Sequence, residues 1–240
     1  MTAHTTTERL LERYNHYNQR PTLRDGCVRT TIYKAFRRSL GGWLPRNPDA
    51  RILDIACGEG ALLSFLRTLG YSNLSGFDLS AENVEICHSL GLGFVRRFDA
   101  LRLAEFSPGV RYDAIFALDI LEHLPKQWAV AFLEQARALL APRGCLVLQT
   151  PNMGSVLGLY HRYLDVSHEF GLTERSAASL LLAAGFSPGR IEVRAAWSAS
   201  TPMGRIREVY LRLIHRLVFL AESQPRPKIP TKNLLIRGSV

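Results

Sequence analysis

Three acids occupy comparable places along the chain: Asp54 in "ARILDIACGEGALL", Asp78 in "NLSGFDLS" and Asp99 in "RRFDAL". Each closes or follows a short apolar run, and Asp54 is followed by Gly58 and Gly60. A carboxylate at the end of an apolar strand is unfavourable unless it is paired or faces a site. Beside a glycine turn, Asp54 can bind a cationic amine or order the loop. Gly58 and Gly60 let the backbone approach a ligand with no Cβ in the way, and a helix starting near Gly60 offers its first N–H groups. Asp78 is placed to accept from both hydroxyls of a ribose, and Asp99 from an exocyclic amine.

The turn itself excludes two common ligands. A dinucleotide loop has a third glycine where this chain has Leu63, and a phosphate loop has a Lys-Ser/Thr pair that is absent here. Acids at the ends of three successive strands, with no phosphate-binding device, suit a ligand with an amino acid at one end and an adenosine at the other. S-adenosylmethionine has that shape.

Alternating elements must hold these acids in place. Apolar runs at residues 51–56, 73–78, 93–97, 112–118 and 144–150 read as strands, and "RIEVRAAW" and "TKNLLIRG" as two later ones. Between them lie the helix patterns "ALLSFLRTLG", "SAENVEICHSLG" with Ser80 as cap, a short "LRLAEF" and "KQWAVAFLEQARALL", which "APRG" ends. "TERSAASLLLAAGF" reads as a helix opened by Thr173 and closed by Gly185. "GRIREVYLRLIHRLVFLAES" reads as a helix with one apolar and one Arg-rich face, inserted between the last two strands. Two helix-like pieces, "TTERLLERYNHYN" and "VRTTIYKAFRRSLGGW", precede the first strand. This is an α/β layout, a sheet with helices on its faces.

Composition narrows the setting. With 47% hydrophobic residues the 240-residue chain can bury a full core rather than remain disordered. No apolar run reaches the ~18 residues of a membrane span and no leader is evident, so a cytoplasmic protein is expected. Cys27, Cys57, Cys87 and Cys145 form no CxxC pair, which leaves neither a zinc site nor a disulfide framework. The net charge of +9 is uneven. Residues 1–48 carry nine Lys and Arg against three acids, residues 49–150 nine against twelve, and residues 151–240 twelve against six. Basic flanks are compatible with plain solvated surface, an anionic acceptor, a membrane surface or nucleic acid.

The segments "ILDIACGEGALL", "GFDLS", "RFDA", "YDAIFALDILEHL" and "LLAPRGCLVLQTPN", in that order, resemble the successive motifs of class I S-adenosylmethionine-dependent methyltransferases. The resemblance covers residues 50–152 and extends more weakly through "HEFGLTERSAASLLLAAGF". It is strongest to the type 11/23 group, which includes ubiquinone-biosynthesis and sugar- or polysaccharide-modifying O-methyltransferases.

The resemblance implies a Rossmann-like doubly wound seven-stranded sheet, mostly parallel with an antiparallel last strand. An N-terminal helical lid over residues 1–48 would precede a cofactor-binding domain over residues 49–240, with an inserted helix at about 203–223. It places Asp54, Ala56, Cys57, Gly58 and Gly60 around the methionine part, and Asp78 and Leu79 at the ribose and adenine. Asp99 and Ala100 meet the adenine edge, and Leu118 and Asp119 lie near the sulfonium. The Cys57 thiol is expected to pack rather than react, and Asp78→Ala to lose cofactor affinity with the fold intact.

Methyl transfer needs alignment first, and a base only for a poorly acidic hydroxyl. His123 in "LEHLP" and His168 in "DVSHEFGLT" are the two candidates for that base. Asp119, Glu122 and His123 are ligand types for a metal, but cofactor and loop contacts explain them equally, and none is expected. Tyr14, Tyr17 and Arg20 would border the acceptor from the lid, where rings can cover a sulfonium. Tyr160, Arg162 and Tyr163 would form its other wall.

The expected reaction is O-methylation of a small-molecule or glycan hydroxyl, in glycan or natural-product biosynthesis, on an acceptor that an Arg-rich wall would suit if anionic or lipid-linked. N- or C-methylation of a metabolite or RNA is the alternative, and a non-catalytic scaffold keeping the cofactor fold is another. Nucleic acid is not the expected acceptor, because no RNA-binding module or "NPPY"-like motif is present. Peripheral contact of the basic helix with a membrane, and a monomeric or homodimeric state, are left open.

Overall fold

The computed structural model describes Leu10, Glu12, Leu23, residues 25–199 and residues 201–240. Its strands are β1 (Ile52–Ile55), β2 (Leu74–Asp78), β3 (Arg96–Arg97), β4 (Tyr112–Leu118), β5 (Leu140–Pro151), β6 (Ile191–Ala195) and β7 (Asn233–Ser239). Among the described residues they form one seven-stranded sheet in the order β3-β2-β1-β4-β5-β7-β6. The first five pair in parallel, and β7 runs antiparallel to both of its neighbours. The chain builds outward from β1 to β3, then returns to place β4 on the other side of β1. That reversal opens a crevice at the carboxyl ends of β1 and β4, the usual ligand position in such sheets.

Strands buried on both faces read as continuous apolar runs, and β4 shows why. Phe116 and Ala114 face a core shared with α1 (Gly26–Leu40), α2 (Ala61–Thr68) and α3 (Ala81–Ser89). Ile115 and Ala117 face the opposite core, against α4 (Ala129–Ala138). Both Phe116 and Ile115 are fully buried, and each such side chain contributes about 1.5–3 kcal/mol. After β5 come α5 (Gly158–Tyr163) and α6 (Glu174–Ala183), and α7 (Pro202–Ala221) is inserted between β6 and β7.

Side-chain caps start most of these helices. Asp25 accepts from the Cys27 backbone N–H at 2.8 Å ahead of α1, and Ser80 from Asn83 ahead of α3. Thr173 and Ser176 form a reciprocal capping box on α6, and Gly185 follows it at φ 84°. The expected third strand contracts to two residues, because this edge pairs only with Phe77 and Asp78. "LRLAEF" forms a short 3-10 helix, Ala100–Glu105, kinked at Arg102. "APRG" bends inside β5, with Arg143 at φ 67° and the register slipping between Tyr112 and Ala114.

Tyr14, Tyr17 and Arg20 lie outside the described residues. What is described of the N-terminal region is tied to the core. Tyr33 and Phe36 stack on Phe65 of α2 at 5.5 and 5.7 Å, and the buried Trp43 donates to Glu192 on β6.

Candidate functional site

A cavity of about 380 Å³ opens at the crevice between β1 and β4. Strand ends and the loops after them supply its polar wall: Asp54, Gly58, Asp78, Asp119, His123 and Gln149. Leu23, Ile32 and Phe36 supply apolar wall from the N-terminal side. The backbone N–H of Leu23 donates to Glu59 Oε2 at 3.1 Å, which ties that segment to the glycine loop.

Two non-glycine residues on the rim have left-handed backbones, Ala56 at φ 54° after β1 and Asp119 at φ 56° after β4. Such a conformation costs about 1 kcal/mol or more for an L-residue and clusters at ligand sites. Asp119 is held by Gln149, whose backbone oxygen accepts from the Asp119 N–H and whose Nε2 donates to Asp119 Oδ2, both at 2.9 Å.

The glycine loop is shaped by close packing. A Cβ on Gly60, at φ 77°, would meet Leu92 Cδ1 at 2.4 Å and Cys87 Sγ at 2.9 Å. A Cβ on Gly58 would meet no protein atom within 4 Å, although Gly58 lines the cavity. Its missing side chain leaves room for a ligand rather than for the protein. The third glycine that the helix lacks has a counterpart on the sheet. Leu63 packs so tightly over Gly76 of β2 that a Cβ there would stand 2.7 Å from Leu63 Cδ1. The close helix–strand approach is kept by exchanging which element carries the glycine.

Asp54 and Asp78 are both buried in the cavity wall. Burial, and then the negative charge of Asp78, raise the Asp54 carboxyl well above the usual carboxylate range. Burial also raises Asp78, against hydrogen bonds that lower it. Those bonds come from the Gly58 N–H at 2.8 Å to Oδ2, and from the Ser80 N–H and Asn83 Nδ2 at 2.9 and 3.0 Å to Oδ1. They use three of the roughly four acceptor positions of a carboxylate. One more donor fits without displacing a loop contact.

Near the cavity mouth a second network forms. His123 is buried, and its Nδ1 lies 2.9 Å from Ser167 Oγ, which lies 2.5 Å from Asp165 Oδ1. The serine has one proton, and the shorter contact to a carboxylate takes it. With the serine proton on Asp165, His123 Nδ1 is the donor to Ser167, and Nε2 is the nitrogen that can take a proton whenever the ring is neutral. His168 packs edge-on against His123, with ring centroids 4.8 Å apart, and its Nδ1 donates to the Arg162 carbonyl.

Residues 28–188 match a family model described as "Methyltransferase domain". The chain belongs to the class I S-adenosylmethionine-dependent methyltransferase family. It is similar to the "Ubiquinone biosynthesis O-methyltransferase" of Bradyrhizobium diazoefficiens, at 30% identity over 138 residues, 54% of this chain and 51% of the relative. The Paraburkholderia xenovorans protein of the same name is 33% identical over 106 residues, 42% of this chain and 44% of that one. The chain thus spans about half the length of the curated relatives it matches.

A solved "SAM dependent methyltransferase" from Archaeoglobus fulgidus superposes with a TM-score of 0.66 at 20% identity, covering 88% of this chain and 94% of that one. The magnesium protoporphyrin IX methyltransferase of Synechocystis PCC 6803, solved with bound S-adenosylmethionine, gives 0.58 at 16% identity over 100% and 99%. At these identities the neighbours establish the fold.

S-adenosylmethionine is the cofactor of this methyltransferase fold, and the site fits it. The molecule carries a sulfonium and an ammonium, and the cavity wall holds two buried carboxylates whose ionised forms a cation would favour. Asp54 and the loop at Gly58 would hold the cationic end, with Asp78 and Leu79 at the ribose. Asp78 also holds the loop, through the Gly58 and Ser80 N–H groups and Asn83 Nδ2, so Asp78→Ala touches stability as well as cofactor binding. The substitution is expected to lower the stability of the cofactor-free protein by about 1–3 kcal/mol as well as cofactor affinity. Denaturant unfolding measured beside calorimetry separates the two effects.

Eight expected site residues line the cavity together: Asp54, Ala56, Cys57, Gly58, Asp78, Leu79, Leu118 and His123. Gly60 shapes the loop from behind. Asp99 caps the 3-10 turn through the Leu101 N–H, with Ala100 buried beneath it, and neither lines the cavity. The Cys57 thiol is pushed up by a hydrogen bond with Cys87 and by burial, which makes it a packing group.

Tyr160 and Tyr163 stand exposed outside the cavity. Arg162 donates to the Glu169 carbonyl, which braces the segment carrying His168. Among the described residues, Glu122, His123 and His168 bring possible metal-ligand atoms within 4.8 Å of one another. A zinc-sized ion holds its ligand atoms roughly 3.4 Å apart, so this group would have to contract to bind one. Asp119, weighed with Glu122 and His123 from sequence, is not part of it.

Glu59, Asn83, Gln149, Ile32 and Phe36 also line the cavity, beyond the residues expected from sequence. Asn83 carried a signal, since it stands three residues after the Ser80 cap and its side chain turns back to Asp78. The role of Gln149 depends on β5 lying beside β4, which no local pattern reveals.

Proposed function

We propose that this chain methylates a hydroxyl oxygen of a small-molecule or glycan acceptor, using S-adenosylmethionine. The supporting observation is the Asp165–Ser167–His123 chain. It presents an acceptor nitrogen, His123 Nε2, on a residue of the cavity wall, and a weakly acidic hydroxyl is the nucleophile that needs such a base. The curated relatives named above are O-methyltransferases, in keeping with this reading.

When bound, the cofactor supplies an electrophilic methyl on a sulfonium. Asp54 and Asp78 would hold it and offset its charge, with the loop at Gly58 against its methionine end. His123 Nε2 takes the acceptor's hydroxyl proton, and Ser167 and Asp165 stabilise the imidazolium formed. Ile32 and Phe36 exclude water from the side facing α1.

Two measurements test this. Calorimetry of the pure protein with S-adenosylmethionine should show one site, and absence of binding removes the enzyme reading. Transfer of labelled methyl to cell extract, separated into lipid, glycan, RNA and small-metabolite fractions, should label a methyl ether in the glycan or small-molecule fraction, undiminished by a chelator. Label on nitrogen or carbon, or in RNA, overturns the assignment to oxygen or to that acceptor class. Loss of activity on chelation would assign Glu122, His123 and His168 to a metal instead.

A further inference from the structure

Helix α7 leaves an apolar stripe uncovered. Met203, Ile206, Tyr210, Leu213, Leu217 and Leu220 recur at alternating spacings of three and four residues, which keeps them on one face of a helix. They are between 51% and 70% exposed. The stripe runs about 25 Å along the helix axis, at 1.5 Å per residue.

The opposite face fixes the helix to the protein. His215 is buried and bonds the Gly154 carbonyl at 3.0 Å, and Glu208 takes both guanidinium nitrogens of Arg38 at 2.6 Å. The stripe therefore points away from the body of the molecule. Thr201 caps the helix and Pro202 opens it, so its start is set by sequence.

Charge distinguishes among possible occupants. Arg207 borders the stripe on one side and Arg205 and Arg216 on the other, all exposed. The acid in the middle of the helix, Glu208, faces inward and is neutralised by Arg38. Besides Glu222 at its C-cap the helix exposes no acid against Arg205, Arg207, Arg212 and Arg216, so a second copy packed along the stripe would bring together more arginines than it could pair. An anionic bilayer surface offers lipid phosphates to those arginines and acyl chains to the stripe.

We infer that α7 docks this protein onto an anionic lipid surface, lying in the interface with Met203–Leu220 toward the acyl chains and its arginines among the headgroups. The inference rests on the helix alone and stands or falls separately from the choice of methyl acceptor. It is tested by co-sedimentation of the full chain with vesicles of phosphatidylglycerol and phosphatidylcholine in equal parts, and with vesicles of phosphatidylcholine alone.

Binding is expected to the first and not the second, weakening as salt is added. Leu213→Glu with Leu217→Glu should reduce it at least ten-fold, and Arg207→Gln and Arg216→Gln about five-fold each. Calorimetric binding of the cofactor reports that each variant is folded. The arginine pair carries the test if the leucine pair does not fold. Equal binding to neutral vesicles, or unchanged binding by the folded variants, overturns the inference. So does a wild-type dimer that ignores vesicles and that Leu213→Glu with Leu217→Glu converts to a monomer.

Discussion

Asp54→Asn is expected to weaken S-adenosylmethionine binding about ten- to a hundred-fold, the ~1.5–3 kcal/mol of a hydrogen bond to a charged partner, while making the cofactor-free protein more stable. The two effects share one origin. Burial, then Asp78, raise the Asp54 carboxyl well above its ordinary value. A carboxyl that is harder to ionise in the folded state favours folding most below its unfolded pKa of about 4, and loses that contribution as pH rises toward the folded value. At neutral pH the ionised form is therefore a burden on the empty fold, and a bound cation relieves it. Asparagine removes the burden along with the charge that holds the cation.

A gain of about 1 kcal/mol would raise the melting temperature of a protein this size by about 2–4 °C. The wild type should also release protons on binding as pH falls toward the folded pKa of Asp54, and Asp54→Asn should release fewer. Calorimetry in two buffers of different ionisation enthalpy measures that release directly. Unchanged affinity in Asp54→Asn would place the cationic end of the cofactor elsewhere.

Much of this site could be read from local pattern because its parts are local. Asp54, Gly58 and Asp78 sit where apolar runs stop, and β1 and β2 bring those stops side by side with Asp54 opposite Gly76. Asp99 is less legible. An acid after an apolar run looks the same in sequence whether it faces a ligand or caps a tight turn, as Asp99 does through the Leu101 N–H. Leu63 shows a third case, in which a rule stated for one element is satisfied by another, with Gly76 making room on the strand. Ser167 carried no signal at all. A lone serine in a loop gains meaning only when β4 and β5 lie adjacent and the segments after them bring it to His123, 44 residues away in sequence. The exposed stripe of α7 was visible as periodicity, but which of its faces docks was not, since His215 and Glu208 find their partners on distant segments.

His123→Ala is expected to lower kcat by about 10²–10⁴-fold, the usual contribution of a positioned base, with little change in cofactor affinity. If His123 is the base, as proposed, Asp165 and Ser167 act through it as positioning residues, and their variants should differ in an informative way. In Ser167→Ala, His123 Nδ1 loses its acceptor and both tautomers are populated, so the fraction with Nε2 able to take a proton falls. In Asp165→Ala, the Ser167 hydroxyl is released to donate to Nδ1, which puts the ring proton on Nε2, the wrong nitrogen for a base. Asp165→Ala should therefore lose more kcat than Ser167→Ala, although it lies one step further from His123. Nitrogen NMR of labelled histidine reads the tautomer without needing the acceptor, and should show Nε2 unprotonated in the wild type and protonated in Asp165→Ala. A purely structural role for the loop would lower activity without moving the proton from one nitrogen to the other, and that result would remove His123 as the base.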